Sequence, residues 1–205
     1  VLGEGIGMIL LKRLEDAERD KDRIYAVIRG IGTASDGKSQ SIYAPRAEGQ
    51  ARAIRTAYQN ANIEPKTIEL VETHGTGTKV GDKVEFEGLR QVFTSPESPD
   101  RKWCGIGSVK SMIGHTKASA GAAGLIKAAI CLYHKVLPPT LKIGEPDPAL
   151  DIENSPFYLS TETRPWLSQK DHPRRCGVSS FGFGGSNFHI ALEEHGKDKP
   201  GAAWD

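Results

Sequence analysis

Apolar and polar positions along this chain switch repeatedly between a period near two and a period near 3.6. Gly5 to Leu14 interleaves glycine with Ile6, Met8, Ile9, Leu10 and Leu11 and predicts a buried strand, followed by a short charged helical turn from Leu14 to Arg19. Ile24 to Ile31 is rich in β-branched residues and predicts a second strand, ending in a loop from Gly32 to Gly37. From Arg46 to Asn62 the positions Ala47, Ala51, Ile54, Ala57, Tyr58 and Ala61 recur at helical spacing, giving one amphipathic helix that Pro65 closes. A short apolar strand, Ile68 to Val71, runs through His74 into a Gly/Thr loop, and order resumes as a helix from about Asp82 to Phe93. Thr94 to Lys102 reads as a surface loop, Cys104 to Val109 as a strand, and Thr116 to His134 as a helix dense in Ala and Gly, packed closely on all sides. Lys135 to Pro156 is Pro-rich and irregular, but Val136, Leu137, Leu141, Ile143 and Leu150 should hold it on the body. Two final strands, Cys176 to Phe181 and Phe188 to Leu192, flank the turn Gly182 to Asn187, and the tail from Gly196 is expected to be disordered. Strands alternating with helices predict an α/β layer fold with a mixed sheet, because a strand pair joined by so short a turn must be antiparallel.

Composition narrows the function classes. In 205 residues, 27 basic side chains face 26 acidic ones for a net charge of +1, which argues against nucleic acid or an anionic membrane as partner and for a neutral small molecule or a carrier protein. Cys104, Cys131 and Cys176 are odd in number and lack CxxC spacing, so neither a disulfide framework nor a zinc site is expected, and no metal is assigned. A reducing cytoplasm fits best. No apolar run reaches the length of a membrane span. The opening Val1-Leu-Gly-Glu-Gly-Ile-Gly7 starts directly on what reads as the rim of a strand, so the chain is expected to be a piece of something larger.

Three stretches can carry chemistry. His74 lies at the carboxyl end of a strand, where open α/β sheets bind ligands; Gly75 and Gly77 let the backbone approach a substrate, and Thr76 and Thr78 offer hydroxyls to orient it. The same residues also fit a tight polar turn with a surface histidine. His115 occupies a second strand-to-helix junction, five residues after Lys110; a nearby cation favours neutral imidazole, and a neutral imidazole N–H can stabilise an oxyanion. Taken singly, His115 also fits an N-cap-like role and Lys110 a solvated rim. In Ser179 to Asn187, successive glycines can aim backbone N–H groups at one spot, and Phe181 and Phe183 can line an acyl pocket, although a tight hairpin has the same pattern. A dinucleotide loop fails, since Asn187 stands where a third Gly or Ala is needed, and a phosphate loop fails for want of Gly-Lys-Ser/Thr after Gly75. His134, His172, His189 and His195 have no partner spacing and read as ordinary core or surface residues.

In order and spacing, His74-Gly-Thr-Gly-Thr78 with Gly81-Asp-x-x-Glu85, Lys110-Ser-x-x-Gly-His115-Thr, and Phe181-Gly-Phe-Gly-Gly-Ser-Asn187 resemble the C-terminal half of a β-ketoacyl synthase, the condensing domain of fatty acid and polyketide synthases. The similarity spans Gly3 to about Glu194. Ser41 to Arg46 and Asp151 to Leu159 are most similar to ketosynthases of polyunsaturated fatty acid synthases, with iterative polyketide synthases next. The resemblance implies a thiolase-like fold, layered αβαβα in two pseudo-equivalent halves, and decarboxylative Claisen condensation on substrates carried by the phosphopantetheine arm of acyl carrier protein, with no cofactor resident in the domain. It assigns His74 and His115 to the malonyl thioester carbonyl and Lys110 to positioning and tuning them. The Phe183 N–H would complete an oxyanion hole with its ring gating the pocket, Thr76 and Thr78 would touch the phosphopantetheine arm, and Phe181, Gly184 and Gly185 would belong to the substrate-binding set.

The family's nucleophilic cysteine belongs to an Asp-x-Ala-Cys-Ser-Ser-like motif upstream of Val1, and Cys104, Cys131 and Cys176 lack that context. The resemblance therefore implies residues 1–22 as the end of an N-terminal half, 23–195 as the C-terminal half and 196–205 as tail or linker. It further implies a missing N-terminal half as partner, a homodimer of the full domain, and no condensation by this piece alone. A rival expectation is a non-catalytic partner resembling a chain-length factor; a third, a nucleotide-binding domain, is weakened by the failed glycine patterns.

Overall fold

The computed structural model describes residues 1–38, 44–94 and 102–196. Among them, a six-stranded mixed sheet runs in the order β1 (Val27–Ser35), β8 (Ser186–Glu193), β7 (Arg175–Gly182), β2 (Leu70–Glu72), β3 (Cys104–Gly107) and β5 (Phe157–Leu159). β7, β2, β3 and β5 are parallel neighbours, whereas β8 pairs antiparallel with both β7 and β1. A separate ribbon joins β4 (Val136–Leu137) to β6 (Arg164–Pro165).

Helices cover both faces, as the continuous apolar runs of the parallel strands require. On one face, Ile54 and Tyr58 of α2 (Ala47–Ala61) and Phe86, Leu89 and Phe93 of α3 (Lys79–Phe93) pack on Ile68, Val71, Cys104 and Phe157. On the other, Ala128, Cys131 and Leu132 of α5 (Ala120–His134) meet Leu70, Cys176, Val178 and Leu192. Two short helices, α1 (Leu14–Arg19) and α4 (Lys110–Ile113), complete the set.

Contact between β1 and α2 depends on missing side chains: a Cβ on Gly32 would overlap the Ala53 carbonyl oxygen and the Ala57 amide nitrogen, both backbone atoms that cannot swing aside. Gly32→Ala should force strand and helix apart and lower the stability of the complete domain by about 3 kcal/mol, at the upper end of overpacking costs. A urea midpoint equal to that of the parent would refute this.

Several elements depart from the pattern-based reading. Gly5 to Leu14 forms no strand: its one ladder contact nearby is the isolated bridge between Leu2 and His115, and Met8 and Leu10 are 91% and 95% exposed. Alternation marks a chain able to pair, but pairing needs a second strand, and among the described residues none pairs with this segment. β1 continues through Thr33 to Ser35, because β8 supplies partners up to Ser186 where a loop was expected. α2 stops at Asn62, whose left-handed backbone ends the helix before Pro65 is reached. α3 starts at Lys79 rather than Asp82, since the Thr78 hydroxyl accepts from Gly81 N and caps the first turn. The helix expected from Thr116 opens instead as a 3-10 turn, Lys117–Ser119, before α5. β5, placed beyond the irregular segment, is a strand by virtue of its pairing with β3. Most of the loop expected over Thr94 to Lys102, part of Ser41 to Arg46 and the tail after Gly196 lie outside the described residues. No helix among the described residues is long and apolar enough to cross a membrane.

Candidate active site

β2 lies between β7 and β3, all three parallel, with Glu72 opposite Val178 on one side and Gly107 on the other. Their carboxyl ends therefore open on one edge of the sheet, and each delivers a ring or a charge to it. His74 follows β2 by two residues, Phe181 lies near the end of β7, and Lys110 follows β3 and begins α4. Gly114, at φ +75°, turns the chain after α4 so that His115 comes back to the same edge. The result is a compact set: the His74 and His115 rings meet edge to face at 5.5 Å, and the Phe181 ring stands 6.0 Å from His74.

Both imidazoles are held neutral. Burial first, then Lys110 and His115, push His74 down to about 3, and its buried Nδ1 has no hydrogen-bond partner among the described residues. His115 is also held below the ordinary imidazole value, by burial and then by Lys110. Its Nδ1 accepts the Lys117 amide at 3.0 Å, which leaves the proton on Nε2 as a donor. Lys110 is lowered by burial, with Glu72 and Glu85 pulling the other way.

The loop that carries His74 is fixed from below. Glu85 on α3 accepts the His74 amide at 2.7 Å and the Gly75 amide at 2.8 Å, one on each carboxylate oxygen. Burial raises this carboxyl to about 7, against the lowering effect of those two amides. Gly75 has φ +39°, and a Cβ there would come within 2.7 Å of Ser108 Cβ, so the close approach of the two strand ends requires glycine. The Thr76 and Thr78 hydroxyls lie 3.2 Å apart at the mouth of the loop.

Gly184 and Gly185 take left-handed backbone in the β7–β8 turn, and the turn is tied to the end of β1: Asp36 N donates to the Gly185 carbonyl at 2.9 Å, and Asn187 Nδ2 donates to Asp36 Oδ1 at 2.7 Å. Phe183 at the tip is 88% exposed, so it is the Phe181 ring that packs on His74. None of the three cysteines is primed for attack. All are free and buried; burial pushes Cys104 and Cys176 well above the usual thiol range and Cys131 up to about 11.

Of the residues singled out from the sequence, His74, His115, Lys110 and Phe181 come together at this edge, whereas Glu85, Asp36 and the pair Glu72 and Lys127 had no role assigned from the sequence. Glu85 was visible as an acid on the apolar face of a helix beside Phe86 and Leu89, and Lys127 as a charge inside an Ala/Gly helix. Asp36 carried no comparable signal.

A layered α/β domain presenting two neutral imidazoles and a half-buried ammonium at parallel strand ends is suited to stabilising negative charge on a bound carbonyl oxygen. The chain belongs to the β-ketoacyl synthase family: residues 25–144 match the family described as beta-ketoacyl synthase, C-terminal domain, and residues 146–204 match the ketoacyl-synthetase C-terminal extension. Polyketide synthase PksL of Bacillus subtilis is 49% identical over 200 residues, 97% of this chain and 4% of that protein. A polyunsaturated fatty acid synthase polypeptide from a Thraustochytrium species is 48% identical over 198 residues, 95% of this chain and 7% of that protein. Among solved structures, the ketosynthase from module 6 of the bacillaene synthase of B. subtilis superposes with a TM-score of 0.85 at 48% identity, over 90% of this chain and 33% of that one. The fold is thiolase-like, and the chain spans about a third of that ketosynthase.

Proposed function

We propose that this chain is the C-terminal part of a ketosynthase domain that performs decarboxylative Claisen condensation in fatty acid or polyketide assembly. The observation that carries this reading is the pair of neutral imidazoles 5.5 Å apart, with the His115 proton on Nε2. Both rings can donate to the thioester oxygen of a malonyl group held by acyl carrier protein. The bond to the carboxylate breaks, CO₂ leaves, and its electron pair passes into an enolate whose oxygen the two N–H groups stabilise. The enolate carbon then forms a bond to the carbonyl carbon of an acyl group on a cysteine, and the cysteine thiolate departs. Lys110 disfavours a positive charge on either ring. Thr76 and Thr78 face the phosphopantetheine arm; the Phe183 N–H with Gly184 and Gly185 forms the oxyanion site for the acyl thioester, and Phe181 lines its pocket.

The nucleophile comes from a missing N-terminal half, which residues 1–22 close and against which residues 23–195 pack, with 196–205 as tail or linker; the full domain is a cytoplasmic homodimer. The exposed Ile6, Met8 and Leu10 support an apolar partner surface there. The test uses the complete domain of the parent protein beside residues 1–205 alone. The complete domain should gain the mass of an acyl group from an acyl thioester and release CO₂ from a malonyl thioester, and the piece alone should do neither in a cycle. A complete domain that never acylates would instead be a partner of the chain-length-factor kind.

A further inference from the structure

Glu72 ends β2, two residues before His74, and is only 3% exposed. A carboxylate so placed must be paired or lose its charge, because an isolated buried charge is costly. Both oxygens are engaged: Oε1 accepts the Val109 amide at 2.6 Å, and Oε2 accepts Lys127 Nζ at 2.7 Å. Val109 immediately precedes Lys110 and caps α4, so this carboxylate fixes the turn from which Lys110 rises. Lys127 reaches in from α5 on the far side of the sheet, with its side chain 13% exposed. Gly124, one turn earlier on the same helix, makes room, since a Cβ there would approach Glu72 Cγ to 3.1 Å.

We propose that Lys127 is a positioning residue for the histidine–lysine site: its ammonium keeps Glu72 ionised and bonded to the Val109 amide, and so holds the turn that carries Lys110. The kinetic half of this inference rests on the decarboxylation reading given above; the structural half does not. The titratable groups facing Glu72 are Lys127 and Cys131 from α5, Lys110 from α4 and Cys176 from β7. Burial pushes the Glu72 carboxyl up, and Lys127 is the foremost group opposing it, ahead of the Val109 amide and Lys110. Without the ammonium, the carboxyl takes up a proton at a higher pH. Its bond to Val109 then falls from charge-assisted to ordinary strength, and the turn loosens.

The test compares Lys127→Met, Lys127→Arg and the double variant Lys127→Met/Glu72→Gln in the complete domain of the parent protein. Hydrogen–deuterium exchange of the segment 108–113 reads the turn, and CO₂ release from malonyl-coenzyme A as a function of pH reads the site. Lys127→Met should speed exchange in the turn and slow CO₂ release by up to roughly 10²-fold, the scale of a 1 Å misplacement. The loss should deepen toward acid, where Glu72 is protonated. The double variant, whose neutral amide accepts from Val109 with only ordinary strength, should keep the fast exchange and slow CO₂ release that Lys127→Met reaches in acid while losing their dependence on the Glu72 proton, and Lys127→Arg should behave like the parent. Unchanged exchange and pH profile in Lys127→Met would overturn the proposal, as would a double variant that exchanges as slowly as the parent. If Lys127→Met does not fold, the double variant is set beside Lys127→Arg: a loosened turn in the double with a parent-like turn in Lys127→Arg supports the inference, and parent-like exchange in both refutes it. Exchange that responds while CO₂ release does not overturns the positioning role when His115→Ala slows CO₂ release in the same assay. When His115→Ala is silent too, the decarboxylation reading has failed and the exchange data alone decide.

Discussion

Replacing His115 or His74 by alanine in the complete domain should slow CO₂ release from a malonyl thioester by about 10²–10³-fold, the usual consequence of removing one preorganised donor from a developing oxyanion. Self-acylation of the cysteine should largely survive, because the proposed mechanism assigns that step to the thiolate and the amide donors of the β7–β8 turn rather than to the imidazoles. The separation follows from the geometry. The His115 Nε2 proton is fixed by the Lys117 amide at Nδ1, and the neutral state of both rings suits them to donate without surrendering a proton. Lys110→Ala should slow the same step less, since it acts through the rings. Labelled acyl loading and labelled CO₂ release, followed on one set of variants, distinguish the roles. Equal loss of both steps in His115→Ala would mean that this histidine activates the nucleophile, and the assignment would fall.

Acid should destabilise this half of the domain through His189 and, in the opposite sense, spare it through Glu85. His189 is fully buried between the Ser179 and Tyr58 hydroxyls, 2.9 Å from each, and burial pushes it down to about 3. Between its ordinary value of 6.5 and about 3, the unfolded chain binds a proton at this residue that the folded chain refuses, so stability falls as pH drops through that window. Glu85, raised from 4.5 to about 7, is the reverse: the folded chain binds the extra proton, and stability rises as pH falls from about 7 to 4.5. Each group contributes a slope of about 1.4 kcal/mol per pH unit inside its window. In urea unfolding from pH 7 to pH 5, His189→Gln should therefore flatten the acid decline and Glu85→Gln should steepen it. Parallel curves for parent and both variants would show that neither residue titrates as its burial dictates.

What could be read from the chain alone was whatever its neighbours in sequence decide. The helical stripe from Ala47 to Ala61, the antiparallel pair β7–β8 with its glycine turn, and the two strand-end histidines all announce themselves within a dozen residues. Gly5 to Leu14 shows the limit: glycine alternating with aliphatics looks the same whether or not a partner strand exists, and here it forms no strand and leaves its aliphatic side chains exposed. β5 failed in the other direction, because three residues carry too little pattern and only the pairing with β3 makes them a strand. The electrostatic frame of the site was hidden for a related reason. Glu72 and Lys127 are 55 positions apart, and neither looks like part of a pair until β2 and α5 are stacked.

The inertness of the three thiols has a practical side. Electrophiles such as iodoacetamide or an acrylamide warhead react with exposed thiolates, and Cys104, Cys131 and Cys176 are all buried with their thiols held protonated at neutral pH. Covalent labelling of the folded protein under mild conditions should thus leave these three unmodified. These three sulfurs become modifiable only when the sheet opens, which makes them a built-in gauge of unfolding.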